Sequence, residues 1–258
     1  MSKITKLLKL KDYITLTGTT LGFIALVCAT VGTREFLSLG FFLCTITIGT
    51  DLMDGFIARK TGTVNKIGIE LDSLNDSLTF GIAPALLTFQ AFKTGTIYDY
   101  VLMGGSIIFA LGGILRLARF NISEEEGYTG VPTPLSGLFL INFFYANYFF
   151  AFAMGGGGDS GLTYPFPMIS NILIPFFLII FGWFNITTYI TFGKKGKNVY
   201  KLFFLLAPLC PILGIIGILN PNFLLSMIIA LFFSGSLLIE LIYILSGFWI
   251  KYRQGREK

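Results

Sequence analysis

The chain has 258 residues, 54% of them hydrophobic and 13% charged, with a formal net charge of +5. Its mean hydropathy of +0.76 excludes an ordinary soluble domain, which would carry about 25% charged residues. It contains no histidine, which excludes Ser-His-Asp and Cys-His triads, histidine zinc sites and histidine proton relays. The three cysteines, Cys28, Cys44 and Cys210, lie far apart inside apolar runs and read as small core residues. Any divalent metal must therefore be held by oxygen ligands. The apolar runs are about 20 residues long and lack the alternation of a membrane barrel. The fold class is thus an all-α polytopic membrane protein.

The N-terminal segment 1–13 interleaves Lys3, Lys6, Lys9 and Lys11 with Ile4, Leu7, Leu8 and Leu10. It reads as a juxtamembrane amphipathic segment on an anionic leaflet, or as the basic flank of the first span. No small-residue cleavage site follows the first apolar run, so no removable signal peptide is expected. About eight spans follow, near 14–32, 36–58, 70–92, 97–118, 132–154, 168–190, 203–219 and 222–247. Turn residues separate them at Gly32-Thr33, Gly95-Thr96, Gly155 to Gly158 and Asn220-Pro221-Asn222. With both termini cytoplasmic, 17 of the 19 lysines and arginines fall inside and only Arg34 and Lys93 outside. That asymmetry is what the positive-inside rule predicts. The net charge follows from this topology and calls for no nucleic-acid partner.

The second and third spans carry the chemistry. Residues 51–76 read DLMDGFIARKTGTVNKIGIELDSLND. Asp51 lies roughly 22 Å from the outer end of the second span at 1.5 Å per residue, still at membrane depth near the cytoplasmic edge. Asp54 follows one turn later, and Asp72 and Asp76 are spaced i, i+4 near the start of the third span, so each pair shares a helical face. Four carboxylates at close range cannot all stay ionised without cations. Hard divalent ions suit them: Mg²⁺ or Mn²⁺, with Ca²⁺ as a further candidate. Two such ions could clamp a phosphate for in-line displacement. Gly55, Ala58 and Gly68 are small enough to let a bulky ligand approach the backbone, and Arg59 offers a planar fork suited to phosphate.

These residues match D-x2-D-G-x2-A-R-x8-G-x3-D-x3-D at every fixed position: Asp51, Asp54, Gly55, Ala58, Arg59, Gly68, Asp72 and Asp76. The stretch resembles the CDP-alcohol phosphatidyltransferase family. LDSLNDSLTFGIAPALL (71–87), LRLARFN (115–121) and GVPTPLSG (130–137) further resemble its phosphatidylserine synthase branch. The likeness covers about the first 140 residues. The first span departs from the pattern, with Lys11-Asp12 where many members have Pro-Asn, so no site residue is carried over there.

The resemblance implies transfer of the phosphatidyl group of a CDP-linked lipid to an alcohol, with release of CMP. The four aspartates would bind two divalent metals. Asp76 would also act as general base, and Gly55, Ala58, Arg59 and Gly68 would line the CDP-lipid site. It also implies a homodimer, while the charge asymmetry places the site on the cytoplasmic side of the cell membrane. Residues 14–190 would form a six-helix catalytic core, and 191–258 two additional helices and a basic tail.

L-Serine, the acceptor implied by that branch, needs a cation for its carboxylate. Arg116 and Arg119 face one side of a helix, and either could hold that carboxylate or a phosphate, in a loop that also carries Asn121, Thr129, Thr133 and Ser136. Glycerol phosphate or inositol phosphate is the alternative acceptor. An intramembrane prenyltransferase would need a second acidic motif, and no acidic cluster follows residue 126. A transporter would spread its acids along a path, whereas these gather at one face. Glu124, Glu125 and Glu126 read as a solvated run and GKKGKNVYK (193–201) as membrane-surface charge. Glu240 lies inside the last span with Lys251 too far along to be its partner, so structural pairing with another group is expected there.

Overall fold

The computed structural model describes residues 7–62, 66–123, 129–192, 209–219 and 222–256. The amphipathic reading of residues 1–6, the acidic run 124–126, the basic loop 193–201 and the side chain of Arg59 lie outside the described residues. The described chain is helical: α1 (Leu10–Val31), α2 (Arg34–Thr61), α3 (Lys66–Asp76), a π-helical segment (Ser77–Ile82), α4 (Ala83–Phe92), α5 (Tyr98–Ile122), α6 (Thr133–Gly155), α7 (Gly158–Thr163), α8 (Met168–Ile186), α9 (Leu209–Leu219) and α10 (Phe223–Arg256). The one extended pairing among the described residues is an isolated bridge between Thr129 and Thr191.

Among the described residues, six helices, α1, α2, α5, α6, α8 and α10, are long and apolar enough to cross a membrane. The protein is therefore a multi-pass membrane protein. The third expected span is split: α3, the π segment and α4 run consecutively from Lys66 to Phe92. Pro84 lies near the start of α4 and has no N–H to continue the α-helical ladder. The preceding turns widen instead, and the Ala83 N–H reaches the Leu78 carbonyl. α1 begins at Leu10, ahead of the expected residue 14, because the Asp12 carboxylate accepts the Lys9 backbone N–H at 2.7 Å and satisfies the first turn. The short α7 follows the glycine run that the sequence marks only as a turn.

Lipid offers no hydrophobic drive between helices, so close packing and polar contacts hold the bundle. The buried face of α1 is a small-residue stripe of Thr15, Gly18, Gly22, Ala25 and Ala29. A Cβ at Gly18 would stand 2.6 Å from Thr50 Oγ1 of α2, so only glycine permits that approach. Between α5 and α8 the backbones nearly touch, and a Cβ on Gly112 would collide with the Gly182 carbonyl oxygen. α6 is the central helix, buried along almost its whole length. Its aromatic side chains anchor neighbours, with Phe144 stacked on Phe41 at 4.3 Å and Phe139 on Phe181 at 4.2 Å. The outward faces, including Phe23, Ile108, Phe176 and Leu231, are exposed and apolar, as a lipid-facing surface requires.

Candidate metal and nucleotide site

The acidic residues gather at one end of this bundle. Asp51 and Asp54 project from the C-terminal half of α2, and Asp72 and Asp76 from α3. Asp51, Asp72 and Asp76 each offer a carboxylate oxygen, and these atoms all lie within 4.8 Å of one another. Asp76 is 8% exposed, and its Oδ1 has no hydrogen-bond partner among the described residues. An ionised oxygen buried in that state is unfavourable unless a cation meets it. The donor set, three converging carboxylates with one orphaned oxygen, fits a hard divalent ion.

Asp54 stands slightly apart from this trio. It is buried, and Thr15 of α1 donates its hydroxyl to Asp54 Oδ2 at 2.6 Å. One turn before Thr15, Lys11 is also buried and pairs with Asp12 at 3.0 Å. One turn after Thr15, Thr19 donates to Asn75 Oδ1 of α3 at 3.1 Å. The polar face of α1 therefore lies against the aspartates.

On α5, Arg116 is buried and donates to Thr133 Oγ1 at 3.2 Å. Arg119 makes different contacts. Its Nη1 donates to the Ile186 carbonyl at 2.6 Å and its Nη2 to the Thr129 carbonyl at 2.9 Å. It thus ties the end of α8 to the segment leading into α6. Gly130 in that segment has φ 81°, a left-handed conformation that favours glycine. A Cβ there would also collide with the Asn185 carbonyl oxygen. Gly55 and Ala58 are half-buried on α2, and Gly68 is buried on α3, one turn before Asp72.

The family profile described as CDP-alcohol phosphatidyltransferase matches residues 9–193, from the first turn of α1 to beyond α8. This chain belongs to the CDP-alcohol phosphatidyltransferase family. Among relatives, it is 37% identical over 143 residues to a CDP-diacylglycerol–serine O-phosphatidyltransferase of Methanocaldococcus jannaschii, covering 55% of this chain and 64% of that protein. It is 32% identical over 151 residues to an archaetidylserine synthase of Methanothermobacter thermautotrophicus, covering 57% and 62%. It is 34% identical over 133 residues to a CDP-diacylglycerol–serine O-phosphatidyltransferase of Bacillus subtilis, covering 49% and 69%. The chain thus spans less than two thirds of the length of the first two relatives.

In this family member, the acidic motif names the four aspartates but not Lys11, Thr15 and Asn75. A signal for the first two is present in the sequence: Lys11, Thr15, Gly18 and Gly22 are polar or small and spaced three to four apart on one face of α1. Asn185 also escapes the sequence reading. It is fully buried on α8, where its Oδ1 accepts the Ser136 hydroxyl at 2.6 Å. Glu240 has a buried polar partner. Its Oε1 accepts a hydrogen bond from Asn142 Nδ2, and Cys210 Sγ contacts Asn142 Oδ1 at 3.2 Å. That cluster joins α6, α9 and α10.

Proposed function

We propose that this protein is a phosphatidylserine or archaetidylserine synthase. It transfers the lipid-phosphate group of a CDP-linked lipid to the hydroxyl of L-serine and releases CMP. The convergence of Asp51, Asp72 and Asp76 within 4.8 Å, with an orphaned oxygen on Asp76, carries this reading. Serine as acceptor is supported by the similarity to a serine O-phosphatidyltransferase and an archaetidylserine synthase. Asp51, Asp54, Asp72 and Asp76 would hold two divalent ions, Mg²⁺ or Mn²⁺. When bound, these ions supply charge neutralisation for the diphosphate and the departing CMP.

The chain's own residues perform the remaining steps. Gly55, Ala58, Arg59 and Gly68 line the CDP-lipid site. Asp76 accepts the proton of the serine hydroxyl as its oxygen bonds to the lipid-bearing phosphorus and the bond to CMP breaks. Buried Arg116 holds the serine carboxylate, while Arg119 shapes the acceptor side through the backbone of α8 and Thr129. The chain crosses the membrane about eight times, with both termini and the site cytoplasmic, and works as a homodimer. A carboxylate site at the membrane edge suits this reaction because one substrate is a lipid and the other is water-soluble.

The test supplies CDP-activated lipid, Mg²⁺ or Mn²⁺, and labelled serine, glycerol phosphate or inositol phosphate in separate reactions. Label entering lipid from serine alone, with CMP released in equal amount, is the expected result. Transfer to another acceptor would replace serine, and no transfer at all would remove the reaction. Asp76→Asn should abolish turnover while keeping CDP binding within about threefold, and near-normal turnover would remove Asp76 as base.

A further inference from the structure

Lys11 is left unexplained by the aspartate motif. It is a lysine 7% exposed, on the first turns of a helix that otherwise shows small residues to its neighbours. Burying an ammonium is costly unless it is paired. Asp12 provides one partner at 3.0 Å, yet Asp12 also accepts the Lys9 backbone N–H through its other oxygen. Among the described residues, Asp12 is the one acid within ion-pair distance of the ammonium, which carries three donors.

The direction in which Lys11 faces decides its use. Lys11 and Thr15 are i, i+4 and so share one face of α1. Thr15 on that face touches Asp54 at 2.6 Å. Lys11 thus stands one turn beyond the Thr15–Asp54 contact, towards the helix end. Four carboxylates and two divalent ions would balance each other. An incoming diphosphate then brings negative charge for which that set holds no surplus cation.

We infer that Lys11, pinned by Asp12, is a phosphate-binding residue for the diphosphate of the CDP-linked donor. The inference rests on the reading given under Proposed function. A point-charge ammonium at a fixed place, beside rather than among the metal ligands, is suited to a phosphate oxygen. It leaves the acceptor side, around Arg116, untouched.

The experiment measures CDP binding by calorimetry in detergent with Mg²⁺. The proteins are wild type, Lys11→Met, Lys11→Arg and the double variant Lys11→Met/Asp12→Asn. The double variant removes the charge pair together, so no buried acid is left alone to unfold the protein. Kinetics with CDP-linked lipid and serine run in parallel. Lys11→Met and the double variant should weaken CDP binding about 5- to 30-fold and raise the KM for the lipid donor by a similar factor. The serine KM should stay within about twofold, and Lys11→Arg should restore most of the CDP affinity. A folded double variant that binds CDP like wild type overturns the inference and leaves the proposed function standing. Wild-type protein that binds no CDP overturns the proposed function itself.

Discussion

Replacing Thr15 with valine tests whether α1 belongs to the site. Valine keeps the shape and the β-branch and removes the hydroxyl that Asp54 accepts at 2.6 Å. Thr15 is 2% and Asp54 5% exposed, so water has little room to take the lost position. A hydrogen bond to a charged group contributes about 1.5–3 kcal/mol. If that stabilisation is what orients Asp54 for a metal, its loss weakens metal binding by about 10- to 150-fold, since 1.4 kcal/mol is tenfold. The assay is CMP release against Mg²⁺ concentration at saturating lipid and serine. The half-saturating Mg²⁺ concentration should rise by that factor in Thr15→Val, and Thr15→Ser should stay within about threefold. An unchanged metal dependence in folded Thr15→Val would refute the claim that α1 orients Asp54.

Arg119→Ala removes two donors to the Ile186 and Thr129 carbonyls and should lower thermal stability by about 1–3 kcal/mol, read from unfolding in detergent. The same variant should raise serine KM, because the segment that it braces leads to Thr133, which accepts a hydrogen bond from Arg116, while the donor KM stays near wild type. Gly112→Ala drives a Cβ into the Gly182 carbonyl oxygen. It should force α5 from α8 at about 1–3 kcal/mol, seen as lower yield of folded protein and a lower unfolding temperature. Glu240→Gln keeps an acceptor for Asn142 and should unfold near wild type. Glu240→Leu should lose about 0.6–1.7 kcal/mol, and equal stability of the two would show that the cluster does not hold α10 to α6.

Much of the molecule is legible in its amino-acid sequence. The apolar run lengths locate the helices because a membrane sets both the length and the apolar character of each span. Asp51, Asp54, Asp72 and Asp76 are legible as a candidate site because clustered acids among apolar residues need an explanation by charge. The i+3 and i+4 spacings give each pair a common face, since helical periodicity is local. The expected pairing of Glu240 follows from the same cost of leaving a polar group alone in an apolar bundle.

What the sequence alone does not decide depends on which helices meet. It places Asp54 as an equal of the other three acids, whereas the tertiary packing brings Asp51, Asp72 and Asp76 together and hands Asp54 to Thr15. Thr15 is 39 residues from Asp54, a distance over which spacing carries no information. Arg116 and Arg119 look interchangeable on one helical face. The structure separates them because α6 offers Thr133 to one, while the end of α8 and the segment leading into α6 offer backbone carbonyls to the other. The π segment after Asp76 likewise depends on Pro84 and on the glycines that let α5 and α6 close around Phe80 and Gly81. Local chemistry names the candidate ligands, and the close approach of helices distant in sequence decides which of them lie together.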